Sequence, residues 1–155
     1  VYDAAGIRIL VMNLLGTVFM EPLASPFETA DAILEKCRGG YDVALVDFHA
    51  EATSEKLALA RYLTGRVSAV WGTHTHVATA DCRILGGHTG FITDLGMVGS
   101  ADGILGVKSE AVLHKFLVKT PVRFETEHGN EGATGALFTV DSGSGKCISA
   151  ESVSF

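Results

Sequence analysis

The chain has 155 residues, 47% of them apolar, and a net charge of −6 from 12 basic and 18 acidic side chains. Its length suits one domain burying roughly 70% of the surface its unfolded form exposes, and its apolar content excludes a disordered chain. The acidic balance argues against an extended nucleic-acid surface, which needs clustered Lys and Arg, and no apolar run approaches the roughly 20 residues of a membrane span.

Ile7 to Leu14 is a near-continuous apolar run, predicting a central strand buried on both faces. A loop with Pro22 follows. Pro26 then opens a helix with Ser25 as its N-cap, placing Phe27, Ala30, Ile33, Leu34 and Cys37 on one face and ending at Gly39-Gly40. Asp42 to Phe48 reads as the next strand. Thr53 caps a helix to about Leu63, stopped by Gly65, and Arg66 to Trp71 is the strand after it. This βαβαβ order predicts an α/β fold with a parallel sheet and right-handed crossovers.

The second half changes character. Gly86-Gly87 and Gly90 bracket a turn, Phe91 to Asp94 is a short strand, and a glycine-rich loop from Gly96 to Gly106 leads to a helix over Ser109 to Val118. After Pro121 the pattern resembles a meander, with strands expected at Val122–Glu127, Ala133–Val140 and Lys146–Val153. Nothing divides the chain into two domains. Cys37, Cys82 and Cys147 are odd in number and far apart, which suits reduced thiols of a cytoplasmic protein.

Val1 to Asp3 looks like the tail of a strand entering a hairpin turn, too short to pair usefully with the long strand that follows. The expectation is that the chain is the C-terminal part of a longer domain. An unpaired edge at Ile7 would favour association as a homo-oligomer or with a complementing N-terminal half.

The chemistry concentrates at strand ends. Asp47-Phe48-His49 closes one strand, and Gly72-Thr73-His74-Thr75-His76 follows the next. Ligands of open α/β sheets bind at these carboxyl ends, and three neutral imidazoles converging there suit a transition metal. Asp81 and Asp94 are candidates to accept a hydrogen bond from the distal nitrogen of a metal-bound imidazole. Glu51 could do the same or simply favour the start of the next helix. The loop glycines Gly96, Gly99, Gly103 and Gly106 could let backbone approach a phosphate, but the spacing reads more simply as plain loop.

The segments Asp47-Phe48-His49-Ala50-Glu51-Ala52-Thr53-Ser54-Glu55-Lys56 and Gly72-Thr73-His74-Thr75-His76-Val77 closely resemble the YmdB-like metallophosphoesterases of bacteria. Asn13 to Met20 and Ile92 to Met97 are similar to that family too, and the likeness weakens after about Thr126. The broader group is the calcineurin-like phosphoesterases, so the resemblance implies a sandwich of two mixed sheets flanked by helices. It also implies hydrolysis of phosphodiesters or cyclic nucleotides at two divalent transition-metal ions (Mn, Fe or Zn), with a bridging water made acidic enough to attack. By the resemblance, His49 and His74 would ligate one ion and His76 the other. The family's Asp after its first strand, its Glu-Asn pair and its Asn-His pair, which carries the proposed general acid, have no counterpart in this sequence. Three neutral imidazoles leave two dications without anionic ligands, so the chain alone is expected to bind metal weakly and hydrolyse little. The alternative is a non-catalytic fragment or metal-binding module. A mononuclear zinc hydrolase using the three histidines as a trio fits the resemblance poorly.

Overall fold

A computed structural model describes residues 1–155. The first strand, β1 (Tyr2–Ala4), turns through Ala5 and Gly6, both at positive φ, into β2 (Ile7–Leu15). The βαβαβ run follows as α1 (Pro26–Lys36), β3 (Val43–His49), α2 (Thr53–Leu63) and β4 (Ala69–Thr73). A hairpin, β5 (Arg83–Leu85) and β6 (Thr89–Ile92), comes next. The chain ends with β7 (Val98–Ser100), α3 (Ser109–Val118), β8 (Glu131–Asp141) and β9 (Lys146–Ser154). The fold is mixed α/β, with two sheets flanked by helices.

The larger sheet has the order β1-β2-β3-β4-β6-β5. Its four inner strands run parallel, while β1 and β5 pair antiparallel at its edges. The smaller sheet is antiparallel, in the order β7-β8-β9. Helices α1 and α2 cover one face of the larger sheet. There Ala30, Leu34, Leu59 and Leu63 pack on Leu10, Met12, Leu14, Val46 and Phe48 in a single cluster. The ring of Phe27 meets that of Tyr62 edge-on at 5.4 Å, joining the two helices.

The smaller sheet packs against the opposite face at the β5 and β6 end. A Cβ added to Gly90 would lie 2.5 Å from Phe138 and 2.8 Å from the Cys147 sulfur, so the two sheets approach this closely only because β6 lacks a side chain there. Nearer β2 the same face is open. Ile9, Leu45 and Trp71 face Phe138 and Val140 across a groove of about 420 Å³.

That asymmetry corrects the expectation for the first long strand. Leu10, Met12 and Leu14 are buried, whereas Val11 between them is 56% exposed. Only the helical face of β2 is covered, so its apolar run does not mark burial on both sides. The hairpin expected at the start is present, but β1 pairs with β2, Tyr2 opposite Ile9 and Ala4 opposite Ile7, so Ile7 is not an unpaired edge. Beyond Ile9 that edge of β2 has no partner strand.

The segment expected as a strand at Val122–Glu127 is not one. Its backbone bonds to the Gly106–Lys108 loop and forms a lone bridge between Thr126 and Val107. The third strand of the smaller sheet comes instead from the glycine-rich loop, as β7. The expected Phe91–Asp94 strand lies two residues earlier, leaving Thr93 and Asp94 beyond the end of β6. Neither Ser25 nor Thr53 caps its helix through a side chain. No helix is long and apolar enough to cross a membrane.

Candidate metal centre

The parallel register sets the site. Leu15 of β2 lies opposite His49 of β3, and His49 lies opposite Thr73 of β4. The ends of three neighbouring strands therefore open on one rim, with His49 at its centre and His74 one residue past the end of β4. The two imidazoles meet edge-to-face with centroids 4.9 Å apart, and His49 Nε2 stands 3.1 Å from His74 Nδ1.

The surrounding hydrogen bonds favour one tautomer for each neutral ring. Asp47 is an acceptor, and its two oxygens take bonds from Asn13 Nδ2 at 2.9 Å and Thr73 Oγ1 at 2.9 Å. A hydroxyl has one proton. Thr73 spends it on Asp47, so it accepts from His49 Nδ1–H at 3.0 Å. On the other ring, His74 Nε2 lies 2.9 Å from Glu51 Oε2 and donates to that carboxylate. In the neutral rings, His49 Nε2 and His74 Nδ1 are then both left with lone pairs, and these are the two atoms that face each other.

At 3.1 Å the two nitrogens share a hydrogen bond when one of them carries a proton, and when neither does, both lone pairs are free to coordinate one cation. The 3.1 Å separation lies between the ~3.0 Å and ~3.4 Å expected for right-angled and tetrahedral ligands at a metal–nitrogen distance of about 2.1 Å. These two residues fit one transition-metal ion. The full set for two ions does not lie within the chain, since no group of three or more His, Cys, Asp or Glu side chains is placed to hold a metal. His76 is not brought to the pair. Its Nδ1 lies 3.4 Å from the Leu105 carbonyl oxygen, correcting the expectation that all three imidazoles converge. Thr75 intervenes, and the backbone takes φ 109° at His74 and 64° at His76.

Of the three carboxylates considered, only Glu51 touches a histidine. Asp81 is bonded to Thr79 Oγ1, Thr93 N and Thr93 Oγ1. Burial pushes its carboxyl up, but these bonds outweigh burial and hold it below its ordinary range. Asp94 also makes no bond to an imidazole. It pairs with Lys56 at 2.7 Å and accepts from Thr75 and Gly96. Its carboxyl is again pushed up by burial and pulled further down by those donors. Both aspartates tie loops together by accepting from threonine hydroxyls and backbone N–H groups rather than from an imidazole.

Sequence reasoning missed Asp47, Thr73, Lys56, Thr75 and Glu55. Glu55 accepts from Thr17 N at 2.8 Å, Thr17 Oγ1 at 3.2 Å and Val18 N at 3.4 Å, holding the loop after β2 against the rim. Gly16 N in that loop donates to the His49 carbonyl at 2.9 Å. The available signal was position: each of the missed residues lies within seven positions of a candidate histidine. Beyond His76 opens a largely apolar cavity of about 360 Å³ walled by Val77, Met97, Ala133 and Phe155.

The family model for YmdB-like proteins matches residues 1–153. A Bacillus subtilis (strain 168) protein named 2',3'-cyclic-nucleotide 2'-phosphodiesterase is 45% identical over 150 residues, covering 97% of this chain and 57% of that protein. A crystal structure of a hypothetical protein from Thermus thermophilus superposes with a TM-score of 0.92 at 38% identity, covering 99% of this chain and 60% of that one. That of a novel phosphatase from Mycoplasma pneumoniae superposes with a TM-score of 0.91 at 34% identity, covering 99% and 55%. The chain thus spans somewhat over half the length of these relatives. With the histidine segments and the fold in agreement, the chain belongs to the YmdB-like family.

Proposed function

We propose that this chain supplies the histidine half of a metal-dependent phosphodiesterase site that acts on a small phosphodiester such as a 2',3'-cyclic nucleotide. The observation that carries this reading is the facing pair of imidazole nitrogens, His49 Nε2 and His74 Nδ1, at 3.1 Å. In this reading His49 and His74 hold one divalent transition-metal ion and His76 contributes to a second. Such ions, when bound, neutralise phosphate oxygens and make a water acidic enough to attack phosphorus. The chain's own groups orient the ligands: Thr73 and Asp47 keep the proton on His49 Nδ1, and Glu51 keeps it on His74 Nε2. The cavity beyond His76 gives the uncharged part of a substrate an apolar wall. The named activity of the Bacillus relative supports the substrate class.

The remaining ligands, including any anionic bridge between two ions, come from outside this chain, in the native polypeptide or from a partner. Hydrolysis of 2',3'-cyclic AMP by the native protein with Mn²⁺ tests the reading, and activity should vanish with chelator and in His74→Ala. Full turnover in either condition would contradict it. A second reading, a metal-binding module without catalysis, is favoured by the lack of any three-ligand group in the chain. Metal uptake without hydrolysis in the native protein would select it.

A further inference from the structure

Lys56 and Asp94 form an ion pair in the interior, each side chain 1% exposed, with Nζ 2.7 Å from Oδ2. Stability alone gives little reason for such a pair, because well-packed apolar residues of the same volume often serve as well or better. The bonds Asp94 makes on its far side suggest another reason. Its Oδ2 accepts from Thr75 N at 3.0 Å and from Thr75 Oγ1 at 2.7 Å. Its Oδ1 accepts from Gly96 N at 2.9 Å, at the start of the glycine-rich loop. Its own backbone is fixed as well, with Asp94 N donating to Thr79 Oγ1 at 2.9 Å and Leu95 N to the Gly72 carbonyl at 3.0 Å.

Thr75 is the residue between the two candidate ligands of this loop. His74 and His76 on either side sit at φ 109° and 64°. Side chains with a Cβ rarely adopt such angles, and they persist only where surrounding structure holds them. The bonds to Thr75 come from one carboxylate, and that carboxylate is anchored to helix α2 through Lys56.

We propose that Lys56 and Asp94 form a buried brace that fixes Thr75 and thereby aims the His74 and His76 imidazoles for metal binding. Neither residue touches the ion; both are positioning residues. Lys56 balances the carboxylate charge inside the protein, and Asp94 clamps the Thr75 amide and hydroxyl. The inference rests on the reading of His49 and His74 as metal ligands.

Thr75→Val tests it, because it removes the hydroxyl while keeping the side-chain volume and the Lys56–Asp94 pair. Zinc is titrated into the native protein while imidazole nitrogens are followed by NMR, with circular dichroism and melting curves as controls. Thr75→Val should bind zinc at least about 10-fold more weakly, in line with losses seen when groups behind metal ligands are removed. Its fold should be unchanged, and Thr75→Ser, which restores the hydroxyl, should bind within about two-fold of wild type by the same reasoning. Should Thr75→Val not fold, Thr75→Ala makes the same comparison. Wild-type zinc affinity in the variant lacking the hydroxyl would overturn the brace while leaving the ligand reading intact. Equal loss in Thr75→Ser would also overturn it. A native wild-type protein that takes up no zinc fails a step earlier, overturning the ligand reading and this inference with it.

Discussion

His49 Nε2 and His74 Nδ1 face each other at 3.1 Å, and each ring's other nitrogen already has an acceptor, Thr73 Oγ1 or Glu51 Oε2. The arrangement comes from two independent elements. Register between β3 and β4 places Thr73 beside His49, and His74 follows at the end of β4, held by Glu51. Removing either imidazole should abolish specific metal uptake, so His49→Ala and His74→Ala are each expected to lose at least about 100-fold in zinc affinity, the upper end of what loss of a mere supporting group costs. Calorimetric titration of zinc checks this.

The groups behind the two rings should matter less than the rings but measurably. Glu51→Ala leaves His74 Nε2–H without its acceptor, and Thr73→Val does the same for His49 Nδ1–H. Each should weaken zinc binding about 10-fold. Glu51→Gln should do less harm, because an amide oxygen can still accept from the ring. The order Ala worse than Gln at residue 51, measured in one titration series, distinguishes orientation from bulk charge.

Gly72 is where β4 is pressed against the segment after β6. A Cβ there would lie 1.8 Å from the Thr93 carbonyl oxygen and 2.8 Å from Lys56 Cδ. Backbone cannot yield that far, so Gly72→Ala should destabilise the fold by about 3 kcal/mol, the upper end for overpacking. Chemical denaturation reads the loss directly. A stable Gly72→Ala would mean that β4 and Thr93 do not approach as described.

Acid should weaken the start of the parallel sheet. Asp42, just before β3, accepts bonds from the Arg8 guanidinium and the Arg8 amide of β2, which lower its carboxyl to about 2. A carboxyl lowered on folding adds stability above its unfolded value, and that contribution is lost as pH falls through the folded one. Melting temperature should therefore fall between about pH 4 and pH 2, and Asp42→Asn should flatten that part of the profile.

Much of the first half was legible because its helices and strands obey simple periods. Phe27, Ala30, Ile33 and Leu34 mark α1, and Val43 to Phe48 mark β3. The single-sided cover of β2 was not legible, because a one-sided strand can still carry apolar residues such as Val11 on its open face. Val122 to Glu127 alternates like a strand but finds no sheet edge, while β7 took that place from a stretch whose glycines read as loop. At the site, the histidines were visible from their position at strand ends. Their partners were not, because the aspartates that hold Thr75 and Thr93 make contacts distant in sequence.

The most direct measurement is a long-range ¹H–¹⁵N spectrum of the histidine side chains, recorded with and without one equivalent of zinc. Without metal, neutral His49 should carry its proton on Nδ1 and neutral His74 on Nε2, as their partners dictate. Zinc should shift His49 Nε2 and His74 Nδ1 together, with one saturation curve for both. Opposite protonation of either neutral ring, or a zinc response confined to one of them, would contradict a shared ion between these two residues.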